Sequence, residues 1–496
     1  MSIPFTHLDK LYIDGAWSNA GPEREDVLNP ATEAVIGRAP VGEAANAEHA
    51  IAAARAAFDA GPWPRLSMPE RAAVMRRMHS ALDARRAAIA ALIVAEVGCA
   101  QGVTHAMQVG APLDHLLSAI DYAQREEPQR LPMTATPDPM NPAGPQKLGG
   151  TTVFREPVGV VAGITGYNFP FLLNLAKITP ALLAGNTLVL KPSPFTPYAA
   201  LLFGEIAEEI GLPRGVLNIV TGGAEVGGLL SSDPRVDMVS FTGSEAVGAA
   251  IMAQAAPTLK RVHLELGGKS AMIVRQDADI ARAAMMAVAI LTVNAGQGCA
   301  LTTRILVHNA VRKRFVETAA AIAAQFKIGD PADPSVVMGP LIRETQRAKV
   351  ERYIEIGRSE GARLVCGGAR PAGLATGFFT EITLFDDVDN NMTIAQEEIF
   401  GPVGAIIGFD TDQEAVGIAN ESRYGLNGAI ETADAAKGWE MAQQIRTGSV
   451  ALNGGVGRMA YAPIGGYKRS GIGREYGPDW LREYQQEKSI FYPIGL

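Results

Sequence analysis

Apolar and polar positions change their period twice along the chain. A short strand-like opening, KLYIDGAW, precedes three alanine-rich stretches from Ala44 to Ala60, Pro69 to Val97 and Thr104 to Arg125. Apolar residues recur there at three- and four-residue spacing among Ala, Leu, Arg and Glu, so each stretch predicts a helix. Next comes EEPQRLPMTATPDPMNPAGPQ, too dense in proline for a helix interior or a central strand. It predicts an excursion that leaves the domain and returns. From Thr151 the apolar runs become short and β-rich: VGVVAGIT, NTLVLKP, GVLNIVTG and VDMVSFTGS. FTPYAALLFGEIAEEIG, after the second run, reads as a helix. Continuous apolar strands alternating with helices predict a parallel sheet covered on both faces. After Gly268 the pattern restarts with SAMIVR, a helix from Ala278 to Asn294, RILVH and a helix from Arg312 to Phe326. A second α/β domain therefore begins near Glu265. No long internal repeat or low-complexity linker interrupts this order.

Composition narrows the class. A chain of 496 residues predicts two or three domains, and 47% hydrophobic with 19% charged residues gives a globular chain with ample core. A net charge of −8 argues against a general nucleic-acid surface but leaves room for local phosphate pockets. The cysteines, Cys99, Cys299 and Cys366, form no CxxC pair, and the seven histidines form no HxxxH pair. Neither a disulfide framework nor a metal site is expected, and a reducing compartment fits best. The longest strongly apolar run, Ala284 to Val293, is far short of a membrane span. MSIPFTHLDK has no signal core and FYPIGL no lipidation motif. A cytoplasmic protein without membrane or nucleic-acid partners is expected.

Several short stretches carry candidate chemistry, and each also has a plainer reading. FTGSEAVG runs from strand through a glycine turn into a helix, so backbone N–H groups and the helix N-terminus can face a phosphate. Such turns are usually structural, and this one is not the G-x-G-x-x-G fingerprint. Lys191 in LVLKPSPFTP stands at the C-terminal end of a strand, where ligands of open α/β sheets gather, or it is a solvated lysine. Asn168 in GYNFP offers a neutral donor to an oxyanion, or an Asx turn before Pro170. Glu265 in LELGGKS is a carboxylate in an apolar strand, costly unless paired or used. Cys299 in NAGQGCALTTR follows one strand and one helix later. Consecutive strand ends in a parallel sheet are neighbours, so thiol and carboxylate are expected to meet, an arrangement for covalent catalysis. Glu397 and Glu398 in QEEIFGPV can accept from ribose hydroxyls, or form an acidic helix end.

Taken in order, GYNFP, LVLKPSPFTP, FTGSEAVG, LELGGKS, GQGCALTTR and EEIFGPV, with the tail APIGGYKRSGIGREYG, resemble the aldehyde dehydrogenase superfamily over essentially the whole chain. The resemblance implies an α/β fold of two Rossmann-like domains plus a small β oligomerisation extension. Residues 1–125 and 147–264 would bind the cofactor, 265–466 would be catalytic, and 126–146 with 480–496 would form the extension. It implies oxidation of a small-molecule aldehyde to the carboxylic acid, with hydride transfer to NAD or NADP. Cys299 would be the nucleophile, Asn168 with the Cys299 N–H the oxyanion donors, and Glu265 the base that activates water against a thioester. Lys177 and Glu475 match positions proposed for proton relay. Cofactor contacts would fall on Ile164, Thr165, Lys191, Ser193, Gly223, Phe241, Gly243, Ser244, Glu265, Leu266, Gly267, Glu398 and Phe400. Phe169, Asn174, Leu301, Arg458 and Ile464 would line the substrate pocket, and a homodimer or homotetramer is expected.

Two departures stand out. Pro194 replaces the glutamate that NAD-preferring members place on the 2′-hydroxyl, so NADP is no longer repelled. GYN replaces PWN, giving Tyr167 a hydroxyl in place of an indole. Among other readings, transfer of the acyl group to CoA has no need of a base such as Glu265. A cofactor-free cysteine hydrolase would need a Cys–His arrangement, and none lies near Cys299; a purely structural protein has no reason to keep Cys299, Glu265 and Asn168 together.

Overall fold

The computed structural model describes residues 5–455 and 461–494. Two large sheets organise the chain. The first has eight strands in the order Ala16–Ser18, Leu11–Ile13, Leu217–Ile219, Thr187–Lys191, Val160–Ile164, Met238–Thr242, Arg261–Glu265, Gly471–Ile472. The five from Leu217–Ile219 to Arg261–Glu265 are parallel, and the outer strands are antiparallel. Val160–Ile164 and Thr187–Lys191 are buried along their whole length, as their unbroken apolar runs require. Separate apolar clusters cover the sheet's two faces. One includes Val161, Leu188 and Met238, and the other the alternating Val160, Ala162, Val189 and Val239. Strand order reverses between Val160–Ile164 and Met238–Thr242, so a crevice opens at their C-terminal ends, where open α/β sheets take ligands.

The second sheet orders Arg363–Cys366, Thr383–Asp386, Val403–Phe409, Arg304–His308, Ala271–Val274, Asn427–Glu431 and Ser449–Leu452 around its own core. All its neighbours are parallel except the first pair. Arg261–Glu265 ends in the first sheet and Ala271–Val274 begins the second, joined by Leu266–Ser270.

Several expectations need correction. The stretch from Pro69 to Val97 is two helices, Met68–Asp83 and Arg86–Val97, broken at Ala84–Arg85. Composition gives no sign of the break, because both residues are good helix formers. The third stretch winds as a π-helix over Thr104–Gly110 before Ala111–Ala123. The proline-rich excursion is partly ordered: Gln129–Arg130 and Thr134–Thr136 pair with a long strand, Lys147–Pro157, whose other edge pairs with Gln485–Pro493. Residues 147–157, expected in the large domain, therefore form the centre of the small sheet. Finally, Glu265 and the strand after Cys299 belong to different sheets, so they are not consecutive strands of one sheet.

Candidate active site

The site forms where the C-terminal edge of the first sheet meets the N-terminal edge of the second. Glu265 is the last residue of its strand, held by Gly243 N–H donating to its carbonyl (3.0 Å). The chain then turns through Gly267 and Gly268 into the second sheet. A Cβ built at Gly268 would lie 2.4 Å from the Cys299 carbonyl oxygen. Only glycine allows this approach, and it brings the segment after Glu265 against the cysteine loop.

That loop is wound tightly. Asn294, Ala295 and Gly296 all take positive φ (47°, 53° and 75°), a conformation that costs a non-glycine residue about 1–3 kcal/mol and persists only when its surroundings enforce it. The enforcement is visible. Gln297 receives Ile342 N–H on its side-chain oxygen (3.1 Å) and donates to Asn294 O (2.9 Å). Asn294 Nδ2 donates to Asn168 O (2.8 Å), and Asn168 Nδ2 donates to Gln297 O (3.0 Å). Gln108, from the π-helical turn, also donates to Asn168 O (2.8 Å). Asn168 and the Cys299 loop are thus one hydrogen-bonded unit. Gln108, Asn294 and Gln297 were not singled out from sequence, where a buried amide looks like any loop amide.

Electrostatics disfavour the charged forms of the thiol and the carboxyl that meet here. Burial, with Glu398 and Glu265 nearby, pushes the Cys299 thiol up to about 12, although the residue keeps some access to solvent. Burial and then Glu475 push the Glu265 carboxyl well above the usual carboxylate range. Lys177 Nζ donates to Glu475 (2.5 Å), and both side chains are buried. Of the other thiols, Cys99 is buried against Thr104 and Gln108 and Cys366 partly buried on an edge strand.

The residues expected to hold the cofactor surround the first sheet's crevice. Thr165 follows Ile164 and donates N–H to Lys191 O (3.1 Å). The Lys191 ammonium is buried, contacts Pro192 O (3.3 Å), and is lowered to about 8 by desolvation. Ser193 Oγ accepts from Phe195 N–H (3.2 Å). Gly223 and Ser244 cap the helices Ala224–Ser232 and Glu245–Ala255, and Phe241 and Leu266 are buried beneath. Of the acidic pair, Glu398 accepts Gly268 N–H (3.0 Å), beside Gly267, whereas Glu397 is taken by the Tyr353 hydroxyl (2.6 Å). Phe400, at φ 60°, sets its ring edge-on to Tyr167 at 5.9 Å, and Tyr167 packs on Phe195 at 5.7 Å. The Tyr167 hydroxyl is buried with no hydrogen-bond partner.

The pocket expectations divide. Phe169 is buried beside Asn168, Leu301 packs on Gly298, and Ile464 pairs with Glu475 through the backbone at 2.7 Å. Asn174 is corrected. It is fully buried, its oxygen accepting from Thr165 (2.8 Å) and its nitrogen donating to Ala199 O (3.1 Å), so its amide ties a strand end to a helix and is not offered to a ligand. Arg458 lies outside the described residues.

The description "aldehyde dehydrogenase family" belongs to a family model that matches residues 17–490. The chain belongs to the aldehyde dehydrogenase family. A 3-succinoylsemialdehyde-pyridine dehydrogenase of a Pseudomonas species is 40% identical over 486 residues, 97% of this chain and 98% of that protein. Solved aldehyde dehydrogenases superpose throughout. A cysteine-to-alanine variant from Pseudomonas syringae with NAD+ and octanal gives a TM-score of 0.91 at 41% identity, covering 98% of this chain and 96% of that one. An enzyme from Mycobacterium tuberculosis with NAD+ gives 0.91 at 44%, covering 98% and 99%. A betaine aldehyde dehydrogenase from Staphylococcus aureus with NAD+ gives 0.93 at 36%, covering 97% and 94%. This aldehyde dehydrogenase therefore shares its two-sheet architecture with enzymes crystallised with a dinucleotide.

Proposed function

We propose that this aldehyde dehydrogenase oxidises its substrate through Cys299, with NAD as cofactor. The observation that carries this reading is the meeting of Cys299, Asn168 and Glu265 at one seam, from three separate segments of the chain. The Cys299 S–H bond breaks, its proton leaving to solvent, as the sulfur bonds to the aldehyde carbon, and the oxygen that becomes negative is stabilised by the Asn168 amide and the Cys299 N–H. When bound, the nicotinamide supplies the hydride acceptor that turns this adduct into a thioester. Glu265 then takes a proton from water as the water oxygen bonds to the acyl carbon, and the carbon–sulfur bond breaks to release the acid. A carboxylate of raised pKa is a stronger base near neutral pH than an ordinary glutamate, which suits that step.

The first sheet's residues fit a dinucleotide. The N-terminus of Glu245–Ala255 and the Lys191 ammonium suit its phosphates and ribose, and Glu398 a ribose hydroxyl. The unpartnered hydroxyls of Thr242 and Tyr167 are buried donors left for a ligand. Pro194, between Ser193 and Phe195, places no carboxylate against a 2′-phosphate, so dual use of NAD and NADP is expected. A preference for NAD above about a hundredfold in kcat/KM, ~3 kcal/mol, would reject dual use.

A panel of straight-chain, aromatic and carboxylate-bearing aldehydes, monitored by reduced-cofactor absorbance, tests the whole reading. Cys299→Ala should abolish turnover with every aldehyde. Glu265→Gln should leave a single-turnover burst and slow all later turnovers. Substantial steady oxidation by Cys299→Ala would overturn the reading. The chain is further proposed to act as a cytoplasmic homodimer or homotetramer.

A further inference from the structure

The segment that opens the helix Glu344–Ser359 touches the site at three points. Ile342 N–H donates to Gln297 of the cysteine loop (3.1 Å), and Gln346 donates to Phe400 O (2.7 Å). Between these two anchors, the Arg343 guanidinium lies over the Phe195 ring, 3.7 Å from its centre. Phe195 belongs to the loop that leaves Lys191 at its strand end, one residue after Pro194 and two after Ser193. A cation carried by the second sheet's half of the chain is thus fixed against a loop of the first sheet's crevice.

The surroundings leave that charge available. Stacking on a ring orients a guanidinium without satisfying its N–H donors. The one ion-pair partner of Arg343 among the described residues is Glu25, at 3.7 Å, beyond hydrogen-bond length. The Glu25 side chain is 40% exposed, so water weakens the pair, and the arginine itself keeps 23% exposure, enough for a ligand to reach it. Two more donors stand in the loop. Lys191 Nζ reaches the Pro192 carbonyl at only 3.3 Å. Ser193 Oγ accepts from Phe195 N–H (3.2 Å), and its own hydrogen remains to be given. No residue from Lys191 to Thr196 carries a carboxylate. An arginine, a lysine and a hydroxyl beside a loop without an acid suit a phosphate dianion.

We propose that Arg343 is a cofactor-specificity residue that binds the 2′-phosphate of NADP, with Lys191 and Ser193 as its companions. This rests on the proposed dinucleotide site and its dual use of NAD and NADP. The diphosphate is common to both cofactors, and the N-terminus of Glu245–Ala255 suits it equally in each. They differ at the 2′ position, where NADP carries a phosphate of about two negative charges and NAD a neutral hydroxyl. The free N–H edge of Arg343 makes forked, charge-assisted hydrogen bonds with that phosphate, and Glu25 gives up its loose hold. The missing carboxylate at Pro194 stops repelling NADP, and Arg343 goes further by attracting it.

The test uses Arg343→Gln, which removes the charge, and Arg343→Lys, which keeps the charge without the fork. Calorimetry gives the dissociation constants of NAD and NADP for the parent and both variants, beside their melting temperatures without cofactor. In Arg343→Gln the NADP-to-NAD ratio of dissociation constants should rise about tenfold, the scale of losing a charged hydrogen-bond pair. In Arg343→Lys it should rise less. A ratio in Arg343→Gln within about twofold of the parent's overturns the proposal, and that includes a variant in which both cofactors weaken alike. If the variants fail to fold, phenylglyoxal labelling of Arg343 in the parent decides, followed by peptide mass spectrometry. At matched saturation NADP should slow the labelling more than NAD does, and equal protection overturns the proposal. Failure of the underlying reading looks different and shows in the parent alone. A parent that binds NAD and not NADP rejects dual use, and one that binds neither rejects the dinucleotide site.

Discussion

Cys299, the proposed nucleophile, is a thiol whose surroundings oppose ionisation. With its pKa pushed to about 12, only about one molecule in 10⁵ carries a thiolate at pH 7. In the cofactor-free enzyme, iodoacetamide should therefore label Cys299 slowly, and the rate should rise about tenfold per pH unit from pH 7 to 10 without levelling off. Glu398→Gln removes the largest nearby charge opposing the thiolate, so it should lower the thiol's pKa and speed labelling at every pH. Peptide mass spectrometry separates Cys299 from Cys366, and a plateau below pH 9 in the parent would contradict this picture. Asn168→Ala should lower kcat about 10²-fold, the scale of losing one oxyanion donor. The motifs that hold these residues were legible in the sequence because each is short and compact. The settings of Arg343 and Asn174 were not. Nothing in GPLIRETQR tells an arginine stacked on a distant ring from a solvated one. The polarity of Asn174 suggested a ligand, whereas its two partners, Thr165 and Ala199, are brought to it only by the fold.

At the scale of elements, the alternation of apolar strands with helices gave the parallel order of both sheets, and local composition hid the helix breaks and caps. The helix Tyr198–Glu209 follows Pro197, which has no side chain to cap it. The cap comes from Glu96, near the end of the helix Arg86–Val97, which accepts N–H from Tyr198 (2.7 Å) and Ala199 (3.1 Å). That partnership spans about a hundred residues, beyond the reach of a capping motif read locally. Glu96 is completely buried, and desolvation raises its carboxyl to about 8 in spite of the two N–H donors. Its folded pKa lies above the unfolded one, so its proton-linked contribution to stability is complete below about pH 4.5 and lost as pH rises through about 8. Glu96→Ala should cost about 2–4 kcal/mol, because two helix N–H groups lose their acceptor in a buried site. Glu96→Gln removes the titration, so calorimetry should find its deficit in melting temperature smaller at pH 8.5 than at pH 5.5. An equal deficit at both values would mean that the carboxyl does not change charge in the folded protein over that range.

At the scale of the whole molecule, the small sheet has an open edge among the described residues. Lys147–Pro157 and Gln485–Pro493 pair along nine residues, and the outer edge of Gln485–Pro493 pairs with nothing among the described residues. Phe491 is 78% exposed, with Ile490 and Tyr492 also exposed beside it. An open edge strand carrying large apolar side chains is a template for another chain, and soluble proteins seldom leave one uncovered. Proline density predicted the excursion but not its strands, because their partner Lys147–Pro157 is itself held by Gln485–Pro493, more than 300 residues away, which is not a local property. The proposed homo-oligomer therefore places its contact here. Light scattering should give a mass two or four times 52.3 kDa, and Phe491→Lys with Tyr492→Glu should shift it toward that single-chain value. Connectivity links this edge to the chemistry. Tyr484, which shares the Ser240 hydroxyl and faces His263 two residues before Glu265, immediately precedes Gln485–Pro493, and its carbonyl accepts from Asn186 Nδ2 (3.0 Å) and Val158 N–H (3.3 Å). Loosening the edge should therefore loosen the floor beneath Glu265. The double variant should lose activity on heating several degrees below its parent, while its burst rate at 25 °C stays within about twofold. A parent that elutes as a monomer, or a dissociated variant with unchanged heat inactivation, would detach the small sheet from the site.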